Sequence, residues 1–404
     1  MFGKSQTHLT GSANNSPRKT EPEVRSSDSS QATAPSAHRS KLEEDYLTIV
    51  EHIVGYTVQK GGSDIHLRVG SYPIVRLNGD LTPIHEFSIL AGADMEGIAA
   101  AVLKPHEKHT LEERRQCDTS VGFASIGRVR INVFYQRGTI AMAFRVIKTD
   151  VPTLAELGVP DVIYKLSRLR SGLILTTGST GSGKSTTLAA IINDINERYA
   201  KHIITIEDPI EFLFRDKKSI VAQREIGIDA HTFSDAMAGA LREDPDVILL
   251  SDLRDTATME FAMNAAETGH LVLGTLHAPT APDAITRIVG AFPAEAQNTV
   301  RSKLSRNLKA VVGQRLLPTR EKGGRVLACE VMIVSARMQE LMLDPIKVGE
   351  ISELVRQSKS VDGVVSFDQQ IFELYKKNRI TEEVAIRYSS SPNDMNLRLR
   401  GISS

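Results

Sequence analysis

Gly178-Ser179-Thr180-Gly181-Ser182-Gly183-Lys184-Ser185 has the residue types and spacing of a phosphate-binding loop, and Thr186 extends it. Glycines let such a loop turn tightly and approach a ligand closely. The backbone N–H groups they expose, backed by the start of a helix, surround the phosphate oxygens. In the pattern G-x-x-x-x-G-K-[ST] the lysine, here Lys184, reaches the β- and γ-phosphates. The hydroxyl that follows, here Ser185, ligates Mg²⁺. The motif requires a strand before it and a helix after it. Leu173-Ile174-Leu175-Thr176 supplies the first, and the apolar run Leu188 to Ile192 lies inside the second.

Three other groups of residues could act on a bound phosphate. Glu207 and Glu211 follow the apolar stretch Ile203 to Ile206. Carboxylates at the C-terminal edge of a parallel strand stand where nucleotide phosphates and Mg²⁺ sit, which makes these two candidates for orienting water or metal. An acidic turn with Pro209 is also a good helix start, so capping is an equal reading. His270 and His277 bracket the apolar run Leu271 to Leu276, and each also fits a satisfied structural histidine. In Arg128-Val129-Arg130-Ile131-Asn132-Val133, alternation puts Arg128, Arg130 and Asn132 on one face of a strand. Arg137 and Arg145 follow, and a solvated basic sheet face accounts for all of them.

The elements that must position these residues fall into two blocks. Tyr46, Leu47, Val50, Ile53 and Val54 recur at helical spacing, and residues 63–69 then alternate as a strand. Ile74 to Leu77 runs into Asn78-Gly79, a strong hairpin signal, and residues 128–147 read as two strands around Gln136-Arg137-Gly138. This is a small α+β block over residues 42–148. Residues 149–158, carrying Pro152, read as a linker. From residue 159 onward short apolar strands alternate with helices: Leu173 to Thr176, Ile203 to Ile206, Val247 to Leu250 and Leu271 to Leu276. Continuous apolar runs with helices between them predict a parallel sheet covered on both faces. Ser335 to Arg400 reads mostly as amphipathic helix. Residues 1–41, rich in Ser, Thr, Asn, Pro and Ala, cannot bury enough surface to offset their ordering entropy and read as a disordered tail.

The bulk numbers exclude several classes. The chain has 404 residues, long enough for more than one core, with 41% apolar and 24% charged residues. Its 49 basic and 49 acidic residues cancel, which gives no support for constitutive nucleic-acid binding. Two distant cysteines, Cys117 and Cys329, cannot form a four-cysteine zinc module or a disulfide framework. No apolar run is long enough for a membrane span, and the N-terminus has no secretory signal.

With these residues in view, the chain resembles the secretion-type ATPases of type IV pilus machines, and especially their retraction motors, the PilT/PilU-like group. The likeness is strongest over residues 172–330 and extends over 45–148 and 331–399. It rests on the phosphate loop and on Thr205-Ile206-Glu207-Asp208-Pro209-Ile210-Glu211, similar to the family's acidic box. It rests also on Asp246 to Asp255, similar to its Walker B strand, and on Thr268 to His277, similar to its histidine box. The missing zinc module and the stretches Ser366 to Tyr375 and Ser391 to Asp394 are similar to retraction-type members rather than assembly ATPases. The segment Ser335 to Leu341 matches the Ala-Ile-Arg-containing retraction motif only loosely.

The resemblance implies a RecA-like P-loop core preceded by a small α+β, PAS-like domain. It implies binding and hydrolysis of ATP with Mg²⁺, a homo-hexameric ring with nucleotide between the domains and across subunit boundaries, and a hinge near Pro152. Residues 178–186 would hold the nucleotide, and Glu207, Glu211, Asp252, His270 and His277 would act near the phosphates. Arg130, Arg145 and Arg137 would supply positive charge to the transition state. Where the family has Gly-Glu, this chain has Ser251-Asp252. One methylene less leaves the carboxylate about 1.5 Å short, a displacement worth on the order of 10²-fold in rate. An aspartate there can instead hold the Mg²⁺-bound water.

The resemblance further implies a cytoplasmic motor for pilus retraction and twitching motility, reaching the inner membrane only through partners. Those partners would be a platform protein and a paralogous retraction ATPase, with no direct nucleic-acid contact. An ATPase energising conjugative DNA transfer or type IV secretion shares the same motifs. So does a weakly active ATP-binding ring subunit that assists a paralogue.

Overall fold

The computed structural model describes residues 41–402 apart from 78, 125, 322 and 358–362. The expected tail through residue 40 and Asn78 of the hairpin turn lie outside the described residues. The helix Lys41–Gln59 opens the described part, with Val50, Ile53 and Val54 buried at helical spacing. Six strands follow: β1 (Asp64–Arg68), β2 (Ile74–Leu77), β3 (Asp80–Pro83), β4 (Gln116–Phe123), β5 (Gly127–Gln136) and β6 (Thr139–Val146). They form one antiparallel sheet in the order β3-β2-β1-β6-β5-β4. Ile65, Leu67, Val75, Val129, Ile131, Val133 and Phe144 face a core shared with the helices Lys41–Gln59 and Gly92–Val102. The opposite face of β5 carries Arg128, Arg130 and Asn132, as the alternation predicts.

The predicted linker follows a residue paired to the second block and contains a short helix. Lys148 bridges in parallel to Phe212, and Leu213 N–H donates to the Lys148 carbonyl at 3.0 Å. A one-turn helix, Leu154–Leu157, then starts on the Thr153 hydroxyl, which accepts from Glu156 N–H, while Glu156 returns a bond to Thr153 N–H. This capping box satisfies two free helix-start donors and orders a stretch whose composition reads as loop.

The second sheet contains β7 (Gly172–Thr177), β8 (His202–Glu207), β9 (Ile220–Glu225), β10 (Val247–Leu250), β11 (Leu271–Leu276), β12 (Leu308–Pro318) and β13 (Arg325–Ile333). Their order is β13-β12-β7-β11-β10-β8-β9. All neighbours are parallel except the β12–β13 hairpin. The four strands expected from apolar runs occupy the middle of the sheet, buried on both faces. One flank is β9, a half-buried edge strand of sequence IVAQRE, and the other is the β12–β13 pair. With helices on both faces this is a RecA-like α/β core.

Glu330 on β13 fastens the C-terminal helices to that core. Only 7% exposed, it accepts from Ala281 N–H at 2.7 Å at the start of the helix Ala281–Gly290. The Phe367 backbone, at the start of the helix Phe367–Lys376, also helps hold the carboxyl's pKa down. Burial raises its pKa, while these donors and Arg315 oppose the rise. Glu330→Ala removes the buried acceptor from the start of the helix Ala281–Gly290 and should cost about 2 to 4 kcal/mol. Calorimetry should show a lowered Tm, partly restored in Glu330→Gln.

Candidate nucleotide site

The phosphate loop leaves the C-terminal end of β7 and enters the helix Lys184–Arg198. Gly178 has φ +142°, and a Cβ there would meet Ser182 Oγ at 2.5 Å and the Gln314 carbonyl at 2.6 Å. Gly183, with φ +95°, caps the helix in a conformation that side chains resist. Lys184 folds back over the loop, and its ammonium donates to the carbonyls of Gly178 at 3.0 Å and Ser179 at 3.1 Å. Burial lowers its pKa, opposed by the nearby negative charges of Asp252 and Glu211. Incoming phosphate oxygens would replace two neutral acceptors with charged ones, a stronger partner for an ammonium.

The loop faces a cavity of about 500 Å³ at the C-terminal edge of the parallel strands, a volume suited to a nucleotide. Thr180, Gly181, Gly183, Lys184, Ser185 and Thr186 line one side, and Glu207, Glu211, Asp252 and His277 line the other. Gly178, Ser179 and Ser182 support the loop without lining the cavity. The opposing wall is internally tied. Thr275 Oγ1 donates to the Ser251 carbonyl at 2.6 Å, and Asp208 N–H donates to Ser251 Oγ at 3.2 Å.

Glu207 is the most perturbed carboxyl on this wall. Burial pushes its pKa up to about 7, against donations from Thr205 Oγ1 at 2.7 Å, Gln223 Nε2 at 3.1 Å and the Glu211 backbone. A carboxyl near neutrality beside phosphates is poised for proton transfer at working pH. The folded state holds the proton more tightly than the unfolded chain, so this group's contribution to stability falls as pH rises from about 4.5 to about 7. Glu207→Gln should therefore flatten the fall of Tm over that interval. If the carboxylate is the active form, kcat/KM rises through pH 7 in the wild type, and the same substitution removes that limb.

Asp252 points its carboxylate at Arg254 and His277. Arg254 Nε donates to Oδ2 at 2.7 Å, and His277 Nε2 lies 3.8 Å from the same oxygen. Arg254 also approaches Asp208 at 3.7 Å and lines the cavity itself. Sequence reasoning did not single out Arg254, although it stands two residues after Asp252. Phe214, Leu316 and Arg325, on the far wall, were missed as well because their strands and loops carry no motif.

His270 is not brought to this site. It precedes β11, so the six residues Leu271–Leu276 hold it ~20 Å from His277. Its Nδ1 is 2.9 Å from the Ala265 carbonyl and 3.1 Å from Thr268 Oγ1, at the end of the helix Thr256–Glu267. Within one chain its ring makes a helix-end contact and does not line the cavity. Both histidines bracket one strand in sequence, and only strand direction separates them.

The arginines of the first sheet also lie off the cavity. Arg130 reaches Asp118 at 3.5 Å, Arg145 pairs with Asp64 at 2.8 Å, and Arg137 sits in the β5–β6 turn with φ +51°. Arg128 and Arg130 lie close enough to Glu225, at the end of β9, for their charge to oppose the burial that raises its pKa.

This sheet order, with a phosphate loop after the inner strand β7 and carboxylates at the ends of β8 and β10, defines a P-loop ATPase preceded by an α+β domain. The chain matches the family model described as type II/IV secretion system protein over residues 44–391. It is 38% identical to the type IV pilus ATPase PilU of Pseudomonas aeruginosa, covering 87% of this chain and 91% of that protein. It is also 38% identical to the type IV pilus retraction ATPase PilT of the same organism, covering 85% and 98%. The solved pilus retraction motor PilT with bound ADP matches with a TM-score of 0.78 at 44% identity, over 85% of this chain and 97% of that one. The Legionella pneumophila ATPase DotB matches with a TM-score of 0.71 at 26% identity, over 88% and 96%. The chain belongs to the type II/IV secretion system protein family. Among the described residues no helix is long and apolar enough to cross a membrane.

Proposed function

We propose that this chain is a motor ATPase that binds and hydrolyses ATP in the cavity at Lys184 to power type IV pilus retraction. The observation that carries the reading is identity of 38% across 98% of the pilus retraction ATPase, together with the complete phosphate loop. The lower identity to DotB, 26%, favours the pilus machine over the other systems that share these motifs.

In this reading the backbone N–H groups of residues 178–184 hold the β-phosphate and Lys184 bridges to the γ-phosphate. The donors at the cavity suit Mg²⁺, a hard cation that keeps several waters. Ser185 would ligate it and Asp252 or Glu207 would hold its waters, and the ion would neutralise charge between the phosphates. Asp252, held by Arg254 and near His277, orients the attacking water once Arg254 turns toward phosphate. Glu207 accepts the proton.

Arg130 and Arg145 lie off their own chain's cavity, which fits a homo-hexamer whose arginines complete a neighbour's site. Residues 149–158 would bend between the two blocks, and closure on ATP would turn hydrolysis into rotation. Contact with the membrane runs through a platform protein and, in retraction, a paralogous ATPase. The test is genetic. Deleting the gene should leave cells piliated but unable to retract, and Lys184→Ala should fail to restore twitching. Retraction that persists without the gene would refute the reading.

A further inference from the structure

The floor beneath the phosphate loop is polar, buried and only partly satisfied. Among the described residues, Thr176 Oγ1, Thr177 Oγ1, Ser182 Oγ and Gln314 Oε1 are buried without a hydrogen-bond partner. One strong bond crosses this floor. Gln314 Nε2 donates to Thr187 Oγ1 at 2.6 Å, joining residues 127 apart in sequence. Gln314 is 1% exposed and Thr187 also 1%. Gln314 follows Gly313, which pairs with Thr177 across the parallel β12–β7 ladder, so it stands beside the start of the loop. Its own carbonyl lies 2.6 Å from where a Cβ on Gly178 would be.

We infer that Gln314 is a positioning residue for ATP hydrolysis, clamping the phosphate loop from below between Gly178 and the first turn of the helix Lys184–Arg198. Its main chain blocks any sinking of the loop at Gly178. Its amide fixes the rotation of the helix turn that carries Lys184 and Ser185. Thr187 lies three residues after Lys184, on nearly the same face of the helix. Gln314 Oε1 and the hydroxyls of Thr176, Thr177 and Ser182 have no partner on this floor, and the Gln314–Thr187 bond is the side-chain bond that ties β12 to the helix turn. The next residue, Arg315, donates to the Tyr388 carbonyl at 2.9 Å and stacks on Phe367 at 4.0 Å, so β12 is held in register from the far side.

This inference rests on the ATPase reading, and one set of assays on the purified full-length chain separates the two. Steady-state hydrolysis and titration with a fluorescent ADP analogue are measured for wild type, Lys184→Ala, Gln314→Leu, Thr187→Val, the double variant Gln314→Leu/Thr187→Val, and Thr187→Ser. Thr187→Val removes the hydroxyl at constant shape, and Thr187→Ser keeps it. The clamp predicts that each loss of the bond lowers kcat roughly ten- to a hundredfold while KM moves less than about threefold. It predicts that the double variant is no slower than the worse single one, and that Thr187→Ser stays near wild type. Effects that multiply in the double variant, or a lowered Tm with unchanged kcat, would overturn it. Wild-type hydrolysis no faster than Lys184→Ala would instead refute the ATPase reading.

Discussion

Arg130→Ala should lower kcat for ATP hydrolysis by about 10³-fold or more while leaving ADP affinity within a few-fold of wild type. Arginine delivered to a transferring phosphoryl group is worth roughly 10³ to 10⁵ in rate, because its charge acts on the transition state more than on bound nucleotide. Within one chain Arg130 faces Asp118 and the region of Glu225, not the cavity. A contribution to catalysis must therefore come from another subunit or after domain closure. Mixed assemblies separate these routes. If the arginine acts across an interface, combining Arg130→Ala with Lys184→Ala subunits creates some sites with both groups intact, and activity returns above either parent. If it acts within its own chain, mixing restores nothing. Arg130→Lys should recover only part of the rate, since an ammonium lacks the fork that clamps two oxygens. The same substitutions at Arg145, an exposed residue paired with Asp64, should have the smaller effect if that pair persists in the closed state.

Asp252 carries the second large expectation. Asp252→Ala should reduce kcat by about 10²- to 10³-fold, because it removes the carboxylate nearest both Arg254 and His277 on the cavity wall. Asp252→Glu should act in the opposite direction. Extending the carboxylate by one methylene moves it about 1.5 Å toward the phosphate loop, and a correction of that size can raise the rate by on the order of 10²-fold. KM should change little in either variant, since Lys184 and the loop amides dominate binding. An unchanged or lower kcat in Asp252→Glu would mean that the protein has adjusted around the shorter side chain, with Arg254 holding the aspartate in its working position.

Much of this architecture is legible in the sequence for a definite reason. Strands buried on both faces, such as Leu173 to Thr176 and Val247 to Leu250, must be continuously apolar, and their apolar runs stand out between helices. The alternation of Arg128, Val129, Arg130 and Ile131 is equally clear, because one face of β5 lies on the core and the other does not. The edge strand β9 is hidden by its half-burial, which permits Gln223 and Arg224 within it. The capping box at Thr153 is a short local signal inside a stretch that otherwise reads as loop.

The site divides in the same way. Lys184, Ser185, Glu207 and Asp252 belong to compact motifs whose spacing encodes their geometry. Leu316 and Arg325 reach the cavity only because strands distant in sequence become neighbours. Gln314 is the clearest case. A single glutamine inside the apolar run of β12 has no periodicity to mark it, and its role depends on lying near Thr177 in the folded sheet and beneath Thr187 of the helix Lys184–Arg198. His270 shows the reverse limit, a residue that resemblance groups with the site and strand direction places at the other end.

Steady-state ATP hydrolysis by the purified full-length chain, compared with its Lys184→Ala variant, tests the central claim most directly. Lys184 already holds the loop through the Gly178 and Ser179 carbonyls and is, among the described residues, the one lysine on the cavity wall. A motor ATPase should hydrolyse ATP well above the Lys184→Ala background, with the variant reduced to the blank. Equal rates for the two proteins would contradict the account.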